Sequence, residues 1–400
     1  MLFLYFYRVP LPDPRADAVQ IMNTCAGMAR AGADVALHVE TARASAGETL
    51  RFYGIQPPSA GEGPGRLTLH AVGRRWSWPL FRWRTAAPLA SAAAGPACLF
   101  VREVRPYVPG LMRRARAAGI PALFEAHNVS SSLVREKQDK GEGGARLARK
   151  AAQRAALEEE ILASADGLVC TQRATLEALR PLLRSGLPAT VLGNGTQLPT
   201  ARGRDAGGTP IDVLYCGSLK PWKGVDTLVS ALPAFAPHRL TIVGPATPED
   251  LRRVAAAAAA SGAAARLEIL PAVPPSEVWP LYARARVGVI PLPGRGSIEA
   301  RQFTSPLKLF EMMASGLPIV ASRLPSLEEY LTDEREALLV PPDDPQALGA
   351  AVARLLRDEG LRLALGSAGR ARAAEFSWDA RGSKLVAFAG QLRAPGSRSR

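Results

Sequence analysis

Short apolar runs alternate with longer amphipathic stretches along almost the whole chain, the pattern of strands exchanging with helices. In the first half, Leu2–Tyr7, Asp34–Val39, Cys98–Val101, Gly119–His127 and Gly167–Thr171 read as strands. Val19–Ala31, ended by Gly32, reads as a helix, as do Pro109–Ala118 and Glu142–Ala163, and Ala189–Leu198 closes this half. Strands joined by crossover helices predict a parallel sheet covered on both faces. Pro199–Pro210 has no periodicity and is dense in turn formers, so the domain boundary is placed there. The alternation then restarts with strands at Ile211–Cys216, Leu240–Val243, Leu267–Leu270, Val287–Pro291, Pro318–Ser322 and Ala337–Val340. A helix is expected from about Phe376 to about Leu392, and 393–400 reads as a disordered tail. The fold class is therefore α/β, with domains over 1–198 and 211–376, a linker at 199–210 and a separate C-terminal piece, 377–400.

Composition narrows the class. Hydrophobic residues make up 47% and charged residues 22%, as in a soluble globular protein, and no apolar run is long enough to span a membrane. Met1–Tyr7 lacks a basic region before it and reads as a first strand, not a signal peptide. The four cysteines, Cys25, Cys98, Cys170 and Cys216, form no metal-binding pair and suit a reduced, cytoplasmic protein. The net charge of +14 calls for an anionic partner: nucleotide phosphates, a lipid surface or nucleic acid. No nucleic-acid motif accompanies the charge.

Three stretches carry candidate chemistry. In Thr304–Arg323, Ser305 is placed to cap a helix, Pro306 to occupy its first position, and Gly316 and Pro318 to end it. Glu311 is out of place on this apolar helix. It either pairs with Lys308 at the surface or is a carboxylate held to accept hydrogen bonds from sugar hydroxyls. In Ile211–Leu232, a strand meets the loop Gly217–Gly224 and then a helix with Val225, Leu228, Val229 and Leu232 on one face. Backbone amides and a helix dipole there can hold an anion, with Lys220 and Lys223 adding charge; the alternative is a solvated basic loop. His127, in Phe124-Glu-Ala-His-Asn128, sits at the carboxyl edge of a strand, where open α/β sheets place ligands, unless it only caps a loop. The Arg- and Trp-rich segment Gly73–Arg84 fits docking to an anionic membrane surface better than nucleic-acid binding, with a surface helix anchored in the core as the plain alternative.

Ser305-Pro-Leu-Lys-Leu-Phe-Glu311, with Gly316-Leu-Pro-Ile-Val-Ala-Ser322 after it, resembles the donor-site signature of family 4 glycosyltransferases, group 1 type. The resemblance implies a GT-B fold, with two Rossmann-like domains facing each other across a cleft and a C-terminal helix, within 377–400, that returns to the N-terminal domain. It implies transfer of a sugar, with retention of configuration, from a nucleoside-diphosphate sugar to a hydroxyl on a sugar or lipid-linked acceptor, without cofactor or metal. His127 would orient the sugar, Lys223 would stabilise the leaving diphosphate, and Glu311 would hold the ribose. Gly217, Ser218, Lys220, Thr304, Ser305, Pro306, Leu307 and Lys308 would contact the donor, and Glu125 and Asn128 the acceptor. Val101-Arg-Glu-Val-Arg-Pro106 resembles a cleft-lining element of this branch. The chain also departs from the pattern. Ser218 replaces the arginine of the family's Gly-Arg…Lys-Gly element, leaving that contact to Lys220, Arg301 or Lys308. Phe303 stands where the earlier of two glutamates is expected, with Glu299 able to take its place only through a bent loop. Arg15–Ala18 lacks the paired glycines usual in the first loop. Analogy suggests synthesis of a bacterial cell-surface glycan, glycolipid or glycoside, by a cytoplasmic protein at the inner face of the membrane. A catalytically silent binding subunit, or a basic membrane-docking protein on the same fold, is the other reading.

Overall fold

Each apolar run becomes a strand of one of two all-parallel sheets. The computed structural model describes residues 1–56, 65–72, 78–132, 136, 144–199, 207–295 and 298–392. Two units are formed, Met1–Gly193 with Trp378–Arg400, and Asn194–Ser377.

The first unit holds β1 (Leu2–Tyr7), β2 (Asp34–Val39), β3 (Leu67–Ala71), β4 (Ala97–Val101), β5 (Ala122–Ala126), β6 (Gly167–Cys170) and β7 (Ala189–Val191), in the order β3-β2-β1-β4-β5-β6-β7. β1, β4, β5 and β6 are buried almost throughout, as expected for strands covered on both faces. β3 is an edge strand of alternating, partly exposed residues and is not apparent as an apolar run. The Trp378–Gly390 helix belongs to this unit, and its Arg381 is buried against Glu125 on β5.

The second unit holds β8 (Ile211–Cys216), β9 (Leu240–Val243), β10 (Leu267–Leu270), β11 (Ala285–Ile290), β12 (Ile319–Ser322) and β13 (Ala337–Val340), in the order β10-β9-β8-β11-β12-β13. Alternate residues of β8 feed two cores. Val213 and Tyr215 pack on one face, Leu214 and Cys216 on the other. In both sheets the strand order reverses beside the first strand, at β1/β4 and at β8/β11. A crevice opens beyond the carboxyl ends of the strands at such a reversal, and ligands bind there.

Two details differ from the sequence reading. The second unit begins at Asn194, ahead of the turn-rich stretch. Asn194 gives its backbone N–H to Ser305 Oγ at 3.1 Å and its side-chain amide to the Ser305 carbonyl at 2.5 Å, while Thr196 N–H reaches the Phe376 carbonyl at 2.9 Å. With its hydroxyl so engaged, Ser305 is not a helix cap. The helix runs Leu307–Ser315, with Pro306 as the flanking residue and Gly316 ending it in the left-handed region at φ 71°. Of the stretches singled out in the sequence, residues 200–206, 73–77 and 393–400 lie outside the described residues, as do the side chains of 78–84. Among the described residues no helix is long and apolar enough to cross a membrane.

Candidate active site

At the β8/β11 reversal the chain leaves β8 through Gly217, makes a single tight turn over Pro221–Lys223, and enters the Val225–Ala231 helix. Gly224 joins turn to helix at φ 74°, and a Cβ there would lie 1.6 Å from the Pro291 carbonyl oxygen. Only glycine permits both that backbone conformation and that closeness. The loop after β8 is thereby pressed against the loop after β11. The latter winds through a wide turn, Glu299–Phe303, which brings Glu299 close enough for its charge to act on Lys223. Glu299 thus sits on a turn within electrostatic reach of Lys223, while Phe303 itself is buried.

Two lysines converge on this crevice. Lys308 Nζ lies over the Tyr215 ring at 3.9 Å and close by Gly217, and Lys223 Nζ lies over the Trp222 ring at 3.9 Å. Burial pulls the Lys223 ammonium down to about 8, against the opposing pull of Glu299. Burial and then the neighbouring Lys223 bring Lys308 to about 7, against Cys216 and Glu311. Among the described residues neither ammonium has a carboxylate within salt-bridge distance. Two ammonium groups held near each other without a carboxylate partner form an arrangement able to attract an anion.

Glu311 is on the same helix as Lys308, one turn on, and does not pair with it. Its Oε2 accepts a hydrogen bond from the Tyr282 hydroxyl at 2.9 Å. Burial raises its pKa, while Tyr282 and Lys308 work to lower it. Phe310, fully buried between Tyr330 and Phe376 with ring centroids 4.9 and 5.2 Å away, fixes the helix that carries both charges. Lys220 points to a different duty, its Nζ 3.2 Å from Asp250 Oδ2. Arg301 donates to the Gly294 carbonyl at 3.2 Å. Of the three cations that could replace the missing arginine, Lys308 is thus the one at the glycine. Ser218 accepts the Tyr215 hydroxyl on its carbonyl at 2.9 Å, and Thr304, Pro306 and Leu307 lead into the Lys308–Glu311 helix.

At the β1/β4 reversal of the first unit a cavity of about 440 Å³ is lined by the loops after β1, β4 and β5, with His127 and Asn128 in its wall. The His127 ring is mostly buried, with Nε2 3.3 Å from Glu125 Oε2. Burial and the Arg102 charge lower its pKa to about 4 against the pull of Glu125, so the imidazole is neutral near pH 7. Asn128 Oδ1 accepts from the Ser130 hydroxyl at 3.4 Å.

Glu125 must be corrected. It is completely buried, paired with Arg381, and receives Gln20 Nε2 on Oε1 at 3.1 Å, so no acceptor reaches it. Burial would raise its pKa, but Arg381 and then His127 hold it down at about 2. The sequence shows neither this pairing nor Tyr282, because the partners lie far apart in the chain. It does show Arg102 and Arg105, in the Val101–Pro106 element, and both line the cavity.

Comparison with known proteins bears on both units. Residues 18–195 match the family described as Glycosyl transferase 4-like domain, and 210–358 match the one described as Glycosyl transferases group 1. D-inositol 3-phosphate glycosyltransferase of Corynebacterium glutamicum is 26% identical over 292 residues, covering 66% of this chain and 65% of that protein. A GDP-mannose-dependent monoacylated alpha-(1-6)-phosphatidylinositol monomannoside mannosyltransferase of the same species is 30% identical over 185 residues, covering 44% of this chain and 46% of its own. The chain spans less than two thirds of these curated relatives. Among solved structures, sucrose-phosphate synthase from Thermosynechococcus elongatus is similar with a TM-score of 0.70 at 23% identity, covering 98% of both chains. HepE from Anabaena, solved with UDP and glucose, has a TM-score of 0.65 at 15% identity, covering 98% of this chain and 99% of its own. These likenesses show the GT-B fold with its two Rossmann-like domains.

Proposed function

The chain belongs to the group 1 glycosyltransferases, and we propose that it transfers a sugar from a nucleoside-diphosphate sugar to an acceptor hydroxyl. The observation that carries this reading is the pair of partly buried ammonium groups, Lys223 and Lys308, without a carboxylate partner among the described residues at the glycine loop of the second unit. A diphosphate accumulates negative charge as its sugar departs, and preorganised cations in a site withdrawn from water stabilise that change most. Lys223 and Lys308 neutralise the leaving group without a metal. Glu311, aligned by Tyr282, accepts hydrogen bonds from the ribose hydroxyls, and the neutral His127 orients the transferred sugar. The names of relatives and the UDP complex of HepE support a nucleotide-sugar donor and leave the base open between UDP and GDP.

Retention of configuration fits the locking of Glu125, the buried carboxylate beside His127, to Arg381, which leaves it unable to act as a base. In that mechanism the departing phosphate takes the acceptor proton on the same face. The protein would work in the cytoplasm at the membrane's inner face, in making a cell-surface glycan, glycolipid or glycoside.

Thermal shift with UDP, GDP, ADP and their sugars tests the donor reading. One nucleotide should stabilise the wild type, by about 2.7 kcal/mol at 100 times its dissociation constant. Glu311→Ala should lose most of that shift. Equal shifts in wild type and variant, or none with any nucleotide, would sink the assignment.

A further inference from the structure

The cavity of the first unit carries charge that the donor chemistry does not use. Arg8, Arg15, Arg102, Arg105 and Arg154 line it, against two carboxylates, Asp17 and Glu103. Both carboxylates are engaged. Asp17 Oδ2 accepts from the Tyr7 hydroxyl at 2.5 Å, and Glu103 Oε2 accepts from the Tyr107 hydroxyl and, at 3.3 Å, from the Arg8 backbone N–H. Arg15 is drawn to Asp13 at 2.9 Å, and Arg105 to Glu103 at 3.8 Å. The remaining three guanidinium groups have no acid of their own among the described residues. Arg102 Nη1 donates to Gln20 Oε1 at 2.6 Å, and Arg154 Nη1 to the Val104 carbonyl at 2.6 Å. These neutral acceptors fix the two side chains in place and leave their charge intact. Arg8 is exposed, and among the described residues it bonds through its backbone N–H, not its side chain.

Cations gathered in a concavity focus a positive potential, and a fixed guanidinium fork matches the two oxygens of a phosphate or carboxylate. Cavities of this volume accept ligands of small-molecule size. We propose that the acceptor is an anion, a hydroxyl compound bearing a phosphate or carboxylate group that Arg8, Arg102 and Arg154 bind in the first unit. This rests on the glycosyltransferase reading and adds to it the chemical class of the acceptor.

Calorimetric titration of the full chain with glucose 6-phosphate, glucuronate and uncharged glucose tests it, with UDP, GDP and ADP titrated in parallel. The charged sugars should bind, and glucose should bind roughly tenfold more weakly or not at all. Arg102→Gln and Arg8→Gln should each weaken the charged sugars by roughly tenfold and leave nucleotide affinity unchanged. Because the exposed Arg8 side chain makes no hydrogen bond or ion pair among the described residues, its variant separates binding from folding. The ratio of the two charged sugars tells phosphate from carboxylate. Glucose binding as tightly as its phosphate, no binding of either charged sugar, or unchanged affinity in both variants would overturn the proposal. So would an equal loss of nucleotide affinity, which would assign the arginines to the donor. Failure of every nucleotide while charged sugars still bind would instead count against the donor reading alone.

Discussion

Lys308 lies at a position that disfavours its own charge: it is partly buried, and the charge that acts on it most strongly, Lys223, is of the same sign. With the two groups brought to about 7 and about 8, the free protein at pH 8 holds part of the pair unprotonated. Unfolding returns both to ordinary lysine values, so between about 7 and 10.5 the unfolded chain binds more protons and the cost these groups impose on folding falls as pH rises. A bound diphosphate reverses the local preference and draws protons onto the lysines. Binding of the cognate nucleoside diphosphate at pH 8 should therefore take up protons, read as a binding enthalpy that changes with the buffer's ionisation enthalpy. The uptake should fade by pH 6 and be cut sharply in Lys308→Met. A buffer-independent enthalpy at pH 8 would remove the lysines from the anion site. In the sequence, Lys223 and Glu311 are conspicuous because each is a charge at the mouth of an apolar element. Lys308 reads as a surface partner for Glu311, a donor-site neighbour or one of three stand-ins for the missing arginine, and nothing local shows that Tyr215 lies beneath it.

The Trp378–Gly390 helix returns the end of the chain to the first unit, and Arg381 is one of the residues that tie it there, beside Asp379, which pairs with Arg30. The Arg381 guanidinium meets the carbonyls of Leu192 and Gly193 and the Glu125 carboxylate, which is 256 residues away in sequence. Removing one member of a buried ion pair strands the other, at a cost of about 3–5 kcal/mol. Arg381→Met should lower stability to urea by that order. Adding Glu125→Leu should restore part of it, because the lone carboxylate then disappears while the two carbonyls stay unpaired. A double variant no better than the single one would mean that the carbonyl contacts, not the ion pair, hold the helix. A strand that is one continuous apolar run, such as Ala337–Val340, is legible to the residue, because burial on both faces leaves no polar position to blur its ends. The edge strand Leu67–Ala71 carries no such run. Ser305 shows the limit of local rules, since the capping motif is present but a distant backbone N–H, that of Asn194, claims the hydroxyl.

At the scale of the molecule, the alternation of runs tells that there are two parallel sheets but not their strand order. Order decides the site. Only because the chain reverses beside β1 and beside β8 do the arginines after β4 and the lysines around β8 come to line crevices. Each sheet has its own reversal, so each unit should answer to its own ligand. Hydrogen exchange on the full chain can read the two separately. The cognate nucleotide should slow exchange chiefly in the second unit, over the Gly217–Gly224 loop and the start of the Leu307–Ser315 helix, where its phosphates and ribose would occupy backbone N–H groups and fix the helix. Glucose 6-phosphate should act chiefly in the first unit, over the segments that follow Tyr7 and Val101. Lys308→Met should erase the first pattern and spare the second, and Arg102→Gln should do the reverse. If nucleotide alone slowed the Tyr7 and Val101 segments and left the Gly217–Gly224 loop unchanged, the donor would have been assigned to the wrong sheet.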